Sequence, residues 1–222
     1  MLLPHPVTVF EAAEKLVVNG ELQEHLLVSL QRAGTGLVLG VVIGVVLAVF
    51  SGISGWGEVL VDANIQILRA LPTLALVPLA IVWFGIGESA KIILVTLAVL
   101  TPVYLNVHAA IRGTDSRYLD LASTLGLSRA QIIRRIILPG ALPGFFTGLR
   151  FSVTIAWLAL VASEQINASS GIGYLMTQAR SISATDVIMV GLIIYGILGL
   201  LSDTLVRFLE RKALTWRSTL GN

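Results

Sequence analysis

Hydrophobic and polar positions divide this chain into five long apolar stretches separated by short polar ones. Residues 33–57 carry no charge, and the helical pattern starts near Leu26. Residues 70–87 lie between Arg69 and Glu88, with an extension back towards Val59. Residues 92–111 lie between Lys91 and Arg112, residues 141–163 are apolar except for Arg150, and residues 187–209 carry Asp203 and Arg207 only near their end. A membrane-crossing helix needs about 20 predominantly apolar residues, so each stretch is long enough to span a bilayer. Two other segments differ. Residues 7–19 set Val7, Phe10, Ala13, Leu16 and Val17 against Glu11, Glu14 and Lys15 with helical spacing, which predicts a helix on the membrane surface or packed on the bundle. Residues 165–185 are small and polar and read as an exposed loop with a short helix.

Composition agrees with a polytopic membrane protein. The 222 residues are 55% hydrophobic and 13% charged, where soluble domains carry about a quarter charged residues. A net charge of +2 from 15 cations is no nucleic-acid footprint. With no cysteine, disulfides and thiolate metal sites are excluded, and His5, His25 and His108 are too scattered to suggest a metal centre. Met1 to Pro6 offers no basic segment or long apolar run of the signal-peptide kind.

Cation placement predicts orientation. Arg112, Arg117, Arg129, Arg134 and Arg135 follow the third apolar stretch, and Arg207, Arg211, Lys212 and Arg217 lie at the C-terminal end. Two spans separate these segments, so both belong on the cytoplasmic side. Five spans then put the N-terminus outside, where Glu11, Glu14, Glu21 and Glu24 suit it, unless one further span belongs upstream.

Two stripes of small residues recur every four positions: Gly36, Gly40, Gly44, Ala48 and Gly52, and Gly140, Gly144, Gly148, Ser152 and Ala156. Small residues let membrane helices approach closely, either within one subunit or across a dimer interface.

The loop after the third stretch has its own structure. Thr114, Asp115 and Ser116 are N-cap types ahead of a helix over 117–125. Gly126 breaks that helix, and Ser128-Arg129-Ala130-Gln131 restarts one with a capping box. The second helix runs to Leu138, where Pro139 ends or kinks it. Tyr118, Leu119, Leu121, Ala122 and Leu125 give the first helix more apolar surface than a solvated loop tolerates, which predicts docking into another protein.

From Asp120 to Pro139 the chain reads Asp-Leu-Ala, three residues, Gly126, nine residues, Ile136, one residue, Leu138-Pro139. This resembles the Glu-Ala-Ala loop of bacterial ABC importer permeases, with Asp120 for the Glu and Leu121 for the first Ala. Leu71-Pro72, Trp83 to Lys91, Leu138 to Pro143 and Ser170 to Leu175 extend the resemblance, chiefly to aliphatic-sulfonate, taurine and nitrate permeases.

The resemblance implies an all-α polytopic bundle of the type I importer kind. It further implies a single permease domain over residues 1–222 with a cytoplasmic coupling loop at about 113–138. The expected location is the bacterial inner membrane, multi-pass, with a cytoplasmic C-terminus. Family members have six spans, so the first is expected to be missing here. The implied partners are a second permease copy, two ATPase subunits, an external binding protein and membrane lipid.

The implied cargo is a small organic anion, an aliphatic sulfonate, with taurine, nitrate or a thiamine precursor as alternatives. The chain has no phosphate-binding Gly-x-x-x-x-Gly-Lys-Ser/Thr, so it is not expected to bind ATP itself. The resemblance implies a transport subunit that is not an enzyme and holds no cofactor, with ATP and Mg²⁺ bound by the partner ATPase. A passive channel or ion-coupled carrier is the alternative of another class. Coupling ions would want acids within the spans, and here the acids sit mostly at span ends.

Coupling-loop candidates are Arg117, Tyr118, Asp120, Leu121, Ala122, Leu125, Gly126, Ile136, Leu138 and Pro139. Asp120 pairs across an interface, caps backbone, or is a solvated acid, while the loop arginines contact the ATPase or only mark the inner side. Candidates for the substrate path are Arg69, Asn106, His108, Arg150 and Glu164. Arg150 faces a pore or pairs with Asp203 or Glu164, because a lone arginine inside a span costs about 3 kcal/mol or more. Pro72, Pro78 and Pro102 are expected to kink spans and to shape the cavity.

Overall fold

The computed structural model describes residues 4–216; Met1–Leu3 and the end of the chain, including Arg217, lie outside the described residues. Every element is helical: α1 (Pro6–Val18), α2 (Glu21–Ile53), α3 (Gly55–Gly57), α4 (Ala63–Ala70), α5 (Val77–Phe84), α6 (Glu88–Arg112), α7 (Ser116–Thr124), α8 (Arg129–Ile132), α9 (Leu138–Asn167), α10 (Ile172–Ser181) and α11 (Thr185–Ala213). Among the described residues, four continuous helices are long and apolar enough to cross a membrane: α2, α6, the run from Arg129 to Ile166, and α11.

The second expected span is not one helix. A π-turn (Glu58–Asp62) joins α3 to α4, a break follows at Leu71-Pro72, and a 3-10 turn (Thr73–Leu76) leads into α5. Proline disfavours the α conformation in the residue before it, and Leu71 is extended (φ −83°, ψ 125°). The broken segment still covers the length of α6. Arg112 Nη2 donates to Glu58 at 3.1 Å, Tyr104 Oη donates to Asp62 at 3.2 Å, and Val77 and Ala80 pack on Ala90 and Leu94. Backbone groups freed at such a break are tolerated in a membrane where neighbouring helices bury them.

α6 is the centre of the bundle, with Val95, Val99, Val103 and Tyr104 wholly buried. α2 packs along one side of it, running in the same direction, and α9 along another, running in the opposite direction. Both glycine stripes face α6, except for Gly140, which has open space around it. A Cβ on Gly36 would lie 2.6 Å from Val95, and one on Gly40 would lie 2.7 Å from Val99. On the α9 side, a Cβ on Gly148 would lie 3.0 Å from Asn106, and Ser152 Oγ donates to the Val99 carbonyl at 3.0 Å. The stripes are therefore packing surfaces within one subunit.

Gly40→Leu should force α2 off α6 and cost about 1–3 kcal/mol, as overpacking does. Gly34→Leu, on the same helix with open space around it, should be near neutral. Thermal unfolding of the detergent-solubilised protein separates the two, and equal melting would contradict this packing.

The segment 165–185, expected to be an exposed loop with a short helix, does carry a short helix, α10, but that helix is packed and not exposed. Ile172, Leu175, Met176 and Ala179 of α10 are buried. Gly191 explains part of this, since a Cβ there would lie 2.5 Å from Met176. α1 lies against α11 through Ala12, Leu16 and Val190, leaving Phe10 exposed.

Candidate functional site

Two polar regions occupy opposite ends of the bundle. The arginine-rich end carries the predicted loop. α6 stops at Gly113, and Thr114 Oγ1 donates to the Ile111 carbonyl at 2.9 Å. Asp115 then caps α7 by accepting from the Arg117 amide at 2.9 Å. At the other end of α7 the Leu127 amide donates to the Ala122 carbonyl and the Gly126 amide to that of Ser123, both at 3.0 Å. This paired closure requires a left-handed residue, and Gly126 has φ +71°.

Ser128 and Gln131 then form the capping box. The Ser128 amide donates to Gln131 Oε1 at 2.8 Å, and the Gln131 amide to Ser128 Oγ at 3.4 Å. α7 is thus closed at both ends by local hydrogen bonds.

The expectation of a second short helix ended or kinked by Pro139 needs correction. α8 continues through a π-turn (Ile133–Ile137) directly into α9. Pro139 follows directly on this π-turn, whose wider spacing accommodates its ring and its missing amide. Any push on α8 is therefore carried into a membrane-spanning helix without an intervening hinge loop.

α7 divides its apolar residues between two sides. Ala122 is buried, and Leu119 lines a cleft of about 350 Å³ shared with Ile53, Ile111, Arg129 and Ile132. Tyr118, Leu121 and Leu125 are 61%, 57% and 70% exposed, forming an uncovered apolar face. Arg117 is exposed beside Asp115 at 3.6 Å, and Asp120 is exposed, its backbone carbonyl accepting from Ser123 and Thr124. Ile136 is half-buried, and Leu138 is 37% exposed at the start of α9.

The opposite end holds a buried ionic network. Arg32, Lys91, Ser29 and Glu164 are all at most 4% exposed. The Glu164 carboxylate accepts from Ser29 Oγ (2.9 Å), Arg32 Nη1 (2.7 Å), the Gly173 amide (2.9 Å) and Tyr195 Oη (3.0 Å). Arg32 also donates from Nε and from Nη2 (2.7 Å) to Glu88, and from Nη1 to the Ser170 carbonyl (2.6 Å). Lys91 Nζ reaches Glu88 at 3.0 Å. The Ser170-Gly171-Ile172-Gly173 segment wraps this carboxylate closely. Gly171 has φ +110°, and a Cβ on Gly173 would lie 2.6 Å from that of Glu164.

The five substrate-path candidates are not brought together. Glu164 is the centre of the ionic network, whereas Arg69 lies exposed at the end of α4. Asn106 Nδ2 donates to the Pro102 carbonyl of its own helix at 2.8 Å. His108 stacks on Tyr104 with centroids 5.4 Å apart, and its Nε2 is buried without a hydrogen-bond partner. Arg150 Nε donates to Asp203 at 3.2 Å, and Asp203 also binds Arg207. Sequence reasoning missed Arg32, Glu88, Lys91, Ser29 and Tyr195. A signal was available for Arg32, because a span starting near Leu26 already contains it, and an arginine within a span needs an acid.

Comparison with known proteins follows this architecture closely. Residues 40–215 match the model of the family described as "Binding-protein-dependent transport system inner membrane component". The putative aliphatic sulfonates transport permease protein of Escherichia coli is 46% identical over 97% of this chain and 82% of its own length. Its Bacillus subtilis counterpart is 42% identical over 98% and 79%. The taurine transport system permease protein of Escherichia coli is 35% identical over 97% and 80%. Among solved structures, an amino acid ABC transporter superposes with a TM-score of 0.75 over 95% of this chain and all of its own, at 17% identity, which shows the shared fold. This chain belongs to the inner-membrane permease components of binding-protein-dependent ABC importers.

Proposed function

We propose that this chain is the membrane-spanning subunit of an ATP-driven importer of aliphatic sulfonates, working as a pair of copies on two ATPase subunits and fed by an external binding protein. The observation that carries the drive mechanism is the uncovered face of Tyr118, Leu121 and Leu125 on a helix closed at both ends. A rigid apolar knob of this kind suits a groove in a soluble partner. ATP and Mg²⁺ bind in that partner, and the loop transmits its closure. Closing the ATPase pair draws the two α7 helices together, and the continuous α8–α9 helix turns that motion into a rigid-body tilt of the bundle.

The sulfonate assignment is supported by the order of identities, with the two sulfonate permeases at 46% and 42% above the taurine permease at 35%. The arginine-rich end is cytoplasmic by the positive-inside rule, and the ionic network faces outside. Taurine import by the same machine is the second reading.

Tyr118→Ser, Leu121→Ser and Leu125→Ser combined should abolish copurification with the ATPase subunit while membrane insertion stays normal. ATP-dependent uptake of labelled alkanesulfonate into proteoliposomes, with taurine and nitrate in parallel, tests the cargo. Retained ATPase binding by the triple variant would remove α7 as the docking element.

A further inference from the structure

We propose that Arg32 and Lys91 form an anion-binding site for the sulfonate group at the outer end of the bundle, and that the Glu88 carboxylate occupies this site as an exchangeable stand-in. The inference rests on the proposed import of a small organic anion and names a site for it.

Three cationic donors converge on Glu88. Arg32 presents its Nε/Nη2 edge, with Nη2 at 2.7 Å, and Lys91 presents Nζ at 3.0 Å. Paired parallel donors from a guanidinium match any planar or trigonal oxyanion. A sulfonate has three oxygens for three donors, whereas the carboxylate offers two. The crevice beside Lys91, walled by Val77, Ile81, Ala90 and Leu94, holds only about 10 Å³, so the alkyl part of the ligand lies outside it, towards the exposed side of Glu88.

The cations are buried and the acid is partly exposed. Arg32 and Lys91 are 2% and 4% exposed, and Arg32 is held from behind by Glu164 and Ser170. Glu88 has a side chain 56% exposed. It is the first residue of α6, directly after Gly85-Ile86-Gly87. Gly85 has φ +76°, and no atom lies within 4 Å of a Cβ built at Gly85 or Gly87, so this hairpin has space to move. An incoming anion can take the donors from Glu88 without leaving either cation unpaired, and Glu164 keeps Arg32 in place meanwhile.

The test is equilibrium binding of labelled butanesulfonate to the permease–ATPase complex in nanodiscs, without binding protein. Glu88→Gln removes the competing charge and should tighten binding about tenfold, the scale of one charge-assisted hydrogen bond. Glu88→Ala should act in the same direction, and Lys91→Met added to Glu88→Gln should reverse the gain. Butanol should not compete. Equal affinity in the Glu88 variants and the unchanged complex, or no saturable binding to Glu88→Gln, overturns the site. Uptake by the unchanged complex reads out the parent proposal separately. Taurine carries the same sulfonate group and should bind with the same response to the Glu88 variants, whereas uptake of nitrate alone would overturn the sulfonate assignment and with it this ligand for the site.

Discussion

Gly126→Val should insert into the membrane normally yet lose transport-coupled ATP hydrolysis by more than about tenfold. The left-handed conformation costs an ordinary residue about 1–2 kcal/mol, and a β-branched side chain is the least tolerant of it. Gly126 sits at φ +71°, where its amide and that of Leu127 close the end of α7 on the carbonyls of Ser123 and Ala122. Valine must leave that conformation, which opens both bonds and redirects the chain between α7 and the capping box at Ser128. No atom lies within 4 Å of a Cβ built at Gly126, so the effect is conformational and not steric. The order of activity should be Gly, then Asn, then Ala, then Val, because asparagine visits the left-handed region more readily. Coupled ATPase rates in proteoliposomes give this order. Normal coupling in the valine variant would remove the loop from the drive mechanism.

Arg32→Met should destabilise the protein by about 3–5 kcal/mol, the scale for breaking a buried ion pair from one side. Glu164 is 1% exposed, and the substitution leaves its carboxylate buried with neutral donors only. Because the network joins α2, α6, α9, α11 and the turn before α10, its loss reaches most of the bundle. Glu164→Gln added to Arg32→Met should recover a large part of the loss, since the stranded charge is then gone. Thermal unfolding of the single and double variants forms a cycle, and simple additivity would show that the two residues do not act as a pair. Arg150→Met should cost far less, because its partner Asp203 keeps Arg207 and its own side chain is 44% exposed.

Much of this protein follows from the chain alone. Apolar length marks five stretches, four of which are unbroken helices, because a bilayer demands about 20 apolar residues whatever the neighbours are; it did not show that the stretch over 70–87 is broken at Leu71-Pro72. The loop was equally legible, since N-caps, the capping box and the left-handed glycine depend on bonds between residues at most five apart, as at Asp115, Ser128 and Gly126. Local chemistry could not foresee that the helix after Ser128 passes through Pro139 without stopping, because a π-turn and the packing of α9 absorb the proline.

The ionic network was illegible for a different reason. Glu88 and Glu164 lie 56 and 132 positions from Arg32, and although Arg32 within its span calls for an acid, each acid alone reads as an ordinary charge at the end of a span. The glycine stripes showed that helices would meet closely but not which ones, since small residues permit contact without naming a partner. Placing both stripes on α6 is what brings the ends of α2, α6 and α9 that lie away from the arginine-rich loop within hydrogen-bonding distance. Spans and caps are thus set by short-range geometry and by the solvent. The pairing of charges across helices is set by tertiary packing alone, because burial makes an unpaired charge too costly to leave.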